Sequence, residues 1–137
     1  MFSLSKQVDY SVQLMLSLSE LAPGKFLSLK SFAKERNISF LFLQKIARQL
    51  KKAGLIDASK GSRGGYFLVH SAADISLKDV IEAVEGKYSA VSCLKSNEVC
   101  PVSSICTSQF IFSFIEKDMM KTLEKYSLQK MGELLQS

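Results

Sequence analysis

No apolar run in this sequence approaches the roughly 18 uncharged residues that a membrane span needs. The segment from Met1 to Ser5 also lacks the basic stretch and small-residue cleavage site of a secretory signal. Together these absences predict a cytoplasmic chain with no membrane partner. Cysteine is scarce and odd in number, at three, so no disulfide framework is expected. In a reducing compartment such thiols are metal-bound, redox-active or simply buried. Histidine is scarcer still: His70 stands alone and reads as an ordinary loop residue. With no nucleophile and base at a suggestive spacing, the sequence predicts no enzyme.

What is present points to one folded unit. The 137 residues suit one domain, or a compact domain with a long appended helix, and 47% apolar with 23% charged residues is ordinary for a globular chain. The net charge of +5 is compatible with a polyanionic partner without demanding one.

Ser5 is a natural cap for a helix running to about Leu21, with Val8, Val12, Met15 and Leu16 on one face and Leu14, Leu18 and Leu21 beside it. Ala22-Pro23-Gly24 ends it. Asp9 falls in the first turn on the polar side, with Gln13 and Glu20, where the helix dipole favours a carboxylate. Leu27 to Arg36 reads as a short helix with Leu29, Phe32 and Ala33 inward, followed by Asn37 as a turn residue. Ser39 then caps a longer helix to about Ala53. At about 3.6 residues per turn, Phe42, Leu43, Ile46, Ala47, Leu50 and Ala53 share one side, and Leu41, Gln44, Lys45, Arg48 and Lys52 the other. Two helices around a short turn, the second with a basic outer face, form the helix-turn-helix pattern.

Gly54 closes that helix. Leu55 to Ser59 and Tyr66 to Val69 read as short strands around Lys60-Gly61-Ser62-Arg63-Gly64-Gly65, a glycine-rich basic hairpin. Turn geometry explains the glycines but not two cations at the tip, which suit phosphates or a narrow minor groove. Helix, helix and basic hairpin make a winged helix-turn-helix. Ser76 caps an amphipathic helix from Leu77 to Val84 bearing Val80, Ile81 and Val84, closed by Gly86. All three cysteines, Cys93, Cys100 and Cys106, then fall between Ser92 and Thr107, as a metal or thiol loop would hold them. Ser108 to about Tyr126 is a long helix with Ile111, Phe112, Ile115, Met119 and Leu123 on one stripe and Phe110 and Phe114 on another side. Two apolar faces need two partners, and a second subunit supplies one of them. Ser127 to Leu135 reads as a closing helix.

The expected fold class is therefore mainly α with a small β-hairpin wing: a winged helix-turn-helix domain plus a long C-terminal dimerisation helix. Residues 1–86 form the DNA-binding part, 87–107 the cysteine loop, and 108–137 the dimerisation helix and tail.

The chain resembles the Rrf2 family of bacterial winged-helix transcription regulators. The resemblance is carried by Ile38-Ser39, Leu43-Gln44-Lys45-Ile46, Leu50-Lys51-Lys52-Ala53-Gly54-Leu55-Ile56, Lys60-Gly61, Gly64-Gly65-Tyr66-Phe67-Leu68, and the run from Ile75 to Gly86, with Leu4-Ser5 and Asp9-Tyr10 at the start. It spans essentially the whole chain. It implies a homodimer whose long helices cross, each subunit presenting a recognition helix and wing to half of a palindromic operator in double-stranded DNA. In cluster-binding members, three cysteines of this loop ligate an iron-sulfur cluster of two or four irons, and Cys93, Cys100 and Cys106 occupy that place. Thiolates are soft, strongly donating ligands for iron. The gap between Cys93 and Cys100 is one residue longer than in the commonest pattern.

Members similar to the regulator of iron-sulfur biogenesis carry a fourth ligand, a histidine, three residues after the last cysteine, where this chain has Gln109. Members resembling the nitric-oxide-sensing type use an aspartate on the first helix, from the other subunit, and Asp9 stands there. On the DNA side, the position after Ser59 is usually arginine and is Lys60 here, which keeps the charge without the planar fork. The candidate contacts are Ser39, Gln44, Lys45 and Arg48 on the helix and Lys60, Ser62 and Arg63 on the wing, with Gln44 suited to pair bidentately with adenine. The resulting expectation is a repressor whose operator affinity follows the state of a cluster sensing nitric oxide, iron or redox state. The alternatives are a cluster-free regulator that uses zinc or thiol oxidation, and an interaction module that binds a metabolic enzyme.

Overall fold

A computed structural model describes residues 4–86 and 107–137. Among the described residues, five of the six helices begin on a serine. Ser5 opens α1 (Lys6–Ser19), Ser28 opens α2 (Leu29–Arg36), and Ser39 opens α3 (Phe40–Lys52), each hydroxyl accepting a backbone N–H from the first turn. Ser76 opens α4 (Leu77–Glu85), where Asp79 returns a bond to the Ser76 N–H at 2.9 Å and completes a capping box. After α5 (Thr107–Lys125), Ser127 opens α6 (Leu128–Gln136). Each such cap is worth about 1 kcal/mol.

Between α3 and α4, β1 (Ile56–Ser59) and β2 (Gly65–Leu68) pair antiparallel, with Ile56 opposite Leu68 and Ser59 opposite Gly65. Leu27 was expected to begin the second helix but does not. It exchanges backbone hydrogen bonds with Tyr66 at 2.9 and 2.8 Å, adding a single-residue third strand to the wing, so the helix starts only at Leu29. Ala53, expected on the core side, is exposed because it is the C-cap of α3, where the chain is already turning into Gly54.

The core lies where α1, α3 and α4 meet. Leu14 and Met15 from α1, Leu43, Ile46 and Leu50 from α3, Ile56 from β1, and Ile75 and Val80 around the start of α4 are all fully buried. Leu128 joins them from the far end of the chain. Backbone bonds fix that return: the Leu77 N–H donates to the Tyr126 carbonyl at 2.7 Å, and the Leu128 N–H to the Ile75 carbonyl at 2.9 Å. α5 is different. It rests on α4, tied by Lys78 to Glu124 at 2.8 Å, and none of its residues is buried.

Candidate nucleic-acid interface

The helix expected to read DNA is divided lengthwise. Leu43, Ile46, Ala47 and Leu50 are buried against the neighbouring helices and β1. On the opposite side Leu41, Lys45, Arg48 and Lys52 are exposed and Gln44 is half-buried. The buried side fixes the helix, so the polar side is presented by a rigid element. Ser39 is exposed at the N-cap, where its hydroxyl accepts from the Phe42 N–H at 3.4 Å.

Among the described residues no carboxylate neutralises Lys45, Arg48, Lys52, Lys60 or Arg63; the ion pairs present are Lys51 with Asp57 at 3.6 Å and Lys78 with Glu124. A cationic face without internal partners keeps its charge available to phosphates.

On the wing, Lys60, Ser62 and Arg63 are all exposed between β1 and β2. The Gly64 N–H closes the turn onto the Gly61 carbonyl at 3.1 Å, with Gly61 at φ 116°. Phe26 and Phe67 meet edge to face, 5.5 Å between ring centres, bracing β2 against the segment that leads to Leu27.

Sequence periodicity did not reveal what holds the recognition helix from behind. Gln7 of α1 donates from Nε2 to Gln49 Oε1 of α3 at 2.6 Å and to the Val84 carbonyl of α4 at 2.8 Å, and Gln49 Nε2 reaches the same carbonyl at 3.4 Å. Three helices thus share one partly buried polar junction. Ser5 and Glu85 add a short hydrogen bond beside it. Glutamines at the edge of a helix's apolar face read as ordinary surface residues until their partners are known. Ser11, by contrast, is fully buried, its hydroxyl donating to the Gln7 carbonyl at 2.6 Å.

Asp9 is exposed on α1 and accepts from Gln13 Nε2 at 3.1 Å. It lies on the rim of an open groove lined by Leu4, Val8, Val12, Leu77 and Met131. Cys93, Cys100 and Cys106 lie outside the described residues. Among the described residues no group of three or more histidines, cysteines or carboxylates is arranged to hold a metal. Gln109 falls in the first turn of α5, and His70 is exposed just past β2, as expected. No helix among the described residues is long and apolar enough to cross a membrane.

Comparison with known proteins agrees with this geometry. The family model Rrf2, described as an iron-dependent transcriptional regulator, matches residues 4–133. Protein rrf2 of Nitratidesulfovibrio vulgaris is 32% identical over 125 residues, 91% of this chain and 83% of that protein. The HTH-type transcriptional regulator NsrR of Bacillus subtilis is 26% identical over 127 residues, 92% of this chain and 87% of that protein. The structure of CymR, the global cysteine regulator of B. subtilis, superposes with a TM-score of 0.80 at 25% identity and covers 98% of both chains. A basic helix held by its apolar side, a two-stranded wing and a family match over nearly the whole length lead to one conclusion: the chain belongs to the Rrf2 family of DNA-binding, winged-helix transcriptional regulators.

Proposed function

We propose that this regulator is a homodimeric repressor whose affinity for a palindromic operator is controlled by an iron-sulfur cluster of two or four irons. The DNA half of the reading rests on one observation above all: the recognition helix buries Leu43, Ile46, Ala47 and Leu50, while Lys45, Arg48 and Lys52 on its other side have no carboxylate partner among the described residues. Lys45 and Arg48 then contact phosphates, Gln44 reads a base edge, Ser39 sits at the helix start, and Lys60, Ser62 and Arg63 extend the contact through the wing. In this reading residues 1–86 bind DNA, 87–107 form the cysteine loop, and 108–137 carry dimerisation.

The donor set suits the cluster. Three thiolates within one short stretch match iron, and Asp9 is a carboxylate held by a single side-chain bond at the edge of an apolar groove, accessible to a second subunit. Cys93, Cys100 and Cys106 would hold the cluster, with Asp9 of the other subunit as the fourth ligand. When bound, the group supplies thiolate-ligated iron that responds to nitric oxide, oxidants or iron supply. The chain's own part is mechanical: the two recognition helices must lie about one helical turn of DNA apart, or a multiple of it, so a small rotation between subunits misplaces both readers together.

Protein purified without air should contain iron and sulfide and show a visible sulfur-to-iron absorption band that Cys100→Ala abolishes. Asp9→Ala should retain the band but lose its stability toward oxygen. A colourless, zinc-loaded dimer that still binds its operator would overturn the cluster and favour a regulator that works through zinc or thiol oxidation. If Lys60→Ala and Arg63→Ala left operator affinity and its salt dependence unchanged, the wing contacts would fall.

A further inference from the structure

Leu41, the second residue of α3, is 77% exposed, whereas Leu43 and Leu50 of the same helix are completely buried. A single exposed leucine is ordinary on a protein surface. This one stands on a polar, cationic face: Gln44, Lys45 and Arg48 follow it at the three-, four- and seven-residue spacings that align side chains along a helix. It also occupies the first turn, the part of a recognition helix that meets base edges. The charged groups of this face match phosphates, so the surface that covers Leu41 is polyanionic, yet a leucine cannot bond to a phosphate or to a polar base edge. One apolar group lies on the floor of the major groove, the 5-methyl of thymine.

We propose that Leu41 is a specificity-determining residue that packs on a thymine methyl in each half-site. The proposal rests on the reading of α3 as the helix that enters the groove. Lys45 and Arg48, engaged with the backbone, hold the helix in register, and Gln44 reads a neighbouring base, while Leu41 distinguishes thymine from any pyrimidine lacking the methyl.

The test uses the full-length protein and a duplex operator obtained by in vitro selection from a random pool. Each thymine of a half-site is replaced singly by deoxyuridine, which removes the methyl and leaves base pairing and the hydrogen-bonding edge intact. One replacement should weaken wild-type binding about four-fold, the size expected for one buried methyl-sized contact. Leu41→Ala, which removes the contact in both half-sites, should weaken binding to the thymine operator by about the square of that factor, and should show no further loss on the substituted DNA. Its helical circular dichroism should be unchanged, because the side chain it removes is exposed. The proposal is overturned if Leu41→Ala is as sensitive to deoxyuridine as the wild type, or if no single replacement matters. It is also overturned if the variant changes the oligomeric state and not DNA affinity, which would assign Leu41 to a protein contact. Failure of the underlying reading looks different: Lys45→Ala and Arg48→Ala would then leave binding to the selected DNA unaffected.

Discussion

The backbone of Gly65 passes so close to Leu27 that a Cβ there would sit 2.4 Å from the Leu27 carbonyl oxygen, and at Gly64 a Cβ would meet the Ser59 carbonyl at 2.1 Å. Neither neighbour is a flexible side-chain end that could swing away; both are backbone. Gly65→Ala therefore has to separate Leu27 from Tyr66, whose two mutual hydrogen bonds tie the wing to the body of the domain. The expected cost is about 1–3 kcal/mol, the usual range for forcing an extra carbon into a packed site, read as a lower midpoint in chemical denaturation. Operator affinity should fall as well, because Lys60 and Arg63 lose their fixed mount. Gly132→Ala is the contrasting case: a Cβ there meets nothing within 4 Å, the position is inside α6, and the change should be neutral or stabilising by up to about 1 kcal/mol. The sequence showed that the wing was glycine-rich and basic. It could not show that Gly65 serves an approach to Leu27, because that contact joins segments far apart in the chain.

At the scale of elements, what was legible followed from local chemistry. Serines at Ser5, Ser39 and Ser76 mark helix starts because their hydroxyls accept N–H groups a few residues ahead, and the buried leucines and isoleucines of α3 recur at the helical repeat. Leu27 was assigned to a helix because nothing local reveals a partner in the wing, and the junction of Gln7, Gln49 and Val84 was unreadable for the same reason. The tie between α4 and α5 is also tertiary. The hydrogen bond to Glu124 raises the Lys78 pKa; partial burial opposes it, and the charges of Glu124, Glu82 and Asp79 add to the rise. A lysine whose folded-state pKa is raised contributes its stability fully below its unfolded value and loses it as pH climbs through the folded one. Lys78→Met should thus lower the thermal midpoint modestly at neutral pH. That difference should persist into mildly alkaline solution and fade only above the ordinary lysine value of 10.5. High salt should shrink it at any pH, since Glu124 is about half exposed. A difference that stayed constant to strongly alkaline pH would mean that Lys78 acts through packing of its stem and not through its charge.

For the molecule as a whole, α5 is the element whose large apolar side chains stay exposed among the described residues. Phe110, Ile111 and Phe114 are 66%, 55% and 57% exposed, and Phe112 and Ile115 are 39% and 40% exposed, on one helix that touches its own domain mainly through α4. Phe110 and Phe114 already stack edge to face, 4.9 Å between ring centres, which makes them a preformed apolar ridge. A monomer rarely leaves so much contiguous apolar surface in water. A two-fold partner presenting the same ridge would cover it with a self-complementary interface. If that is how the subunits meet, Phe114→Glu places two charges in the middle of the contact. Because Phe114 is largely exposed and stands outside the hydrophobic core of the described residues, the variant should keep wild-type helical content and thermal unfolding of the winged domain. The dimer dissociation constant should rise by about 100-fold or more, the scale of losing a central aromatic anchor, so that sedimentation at micromolar concentration shows monomers. Operator binding should fall more steeply than dimerisation alone explains, because a lone winged domain holds only half of the palindrome. A variant that still sedimented as a dimer would move the subunit interface away from α5, and the exposed ridge would then need another partner.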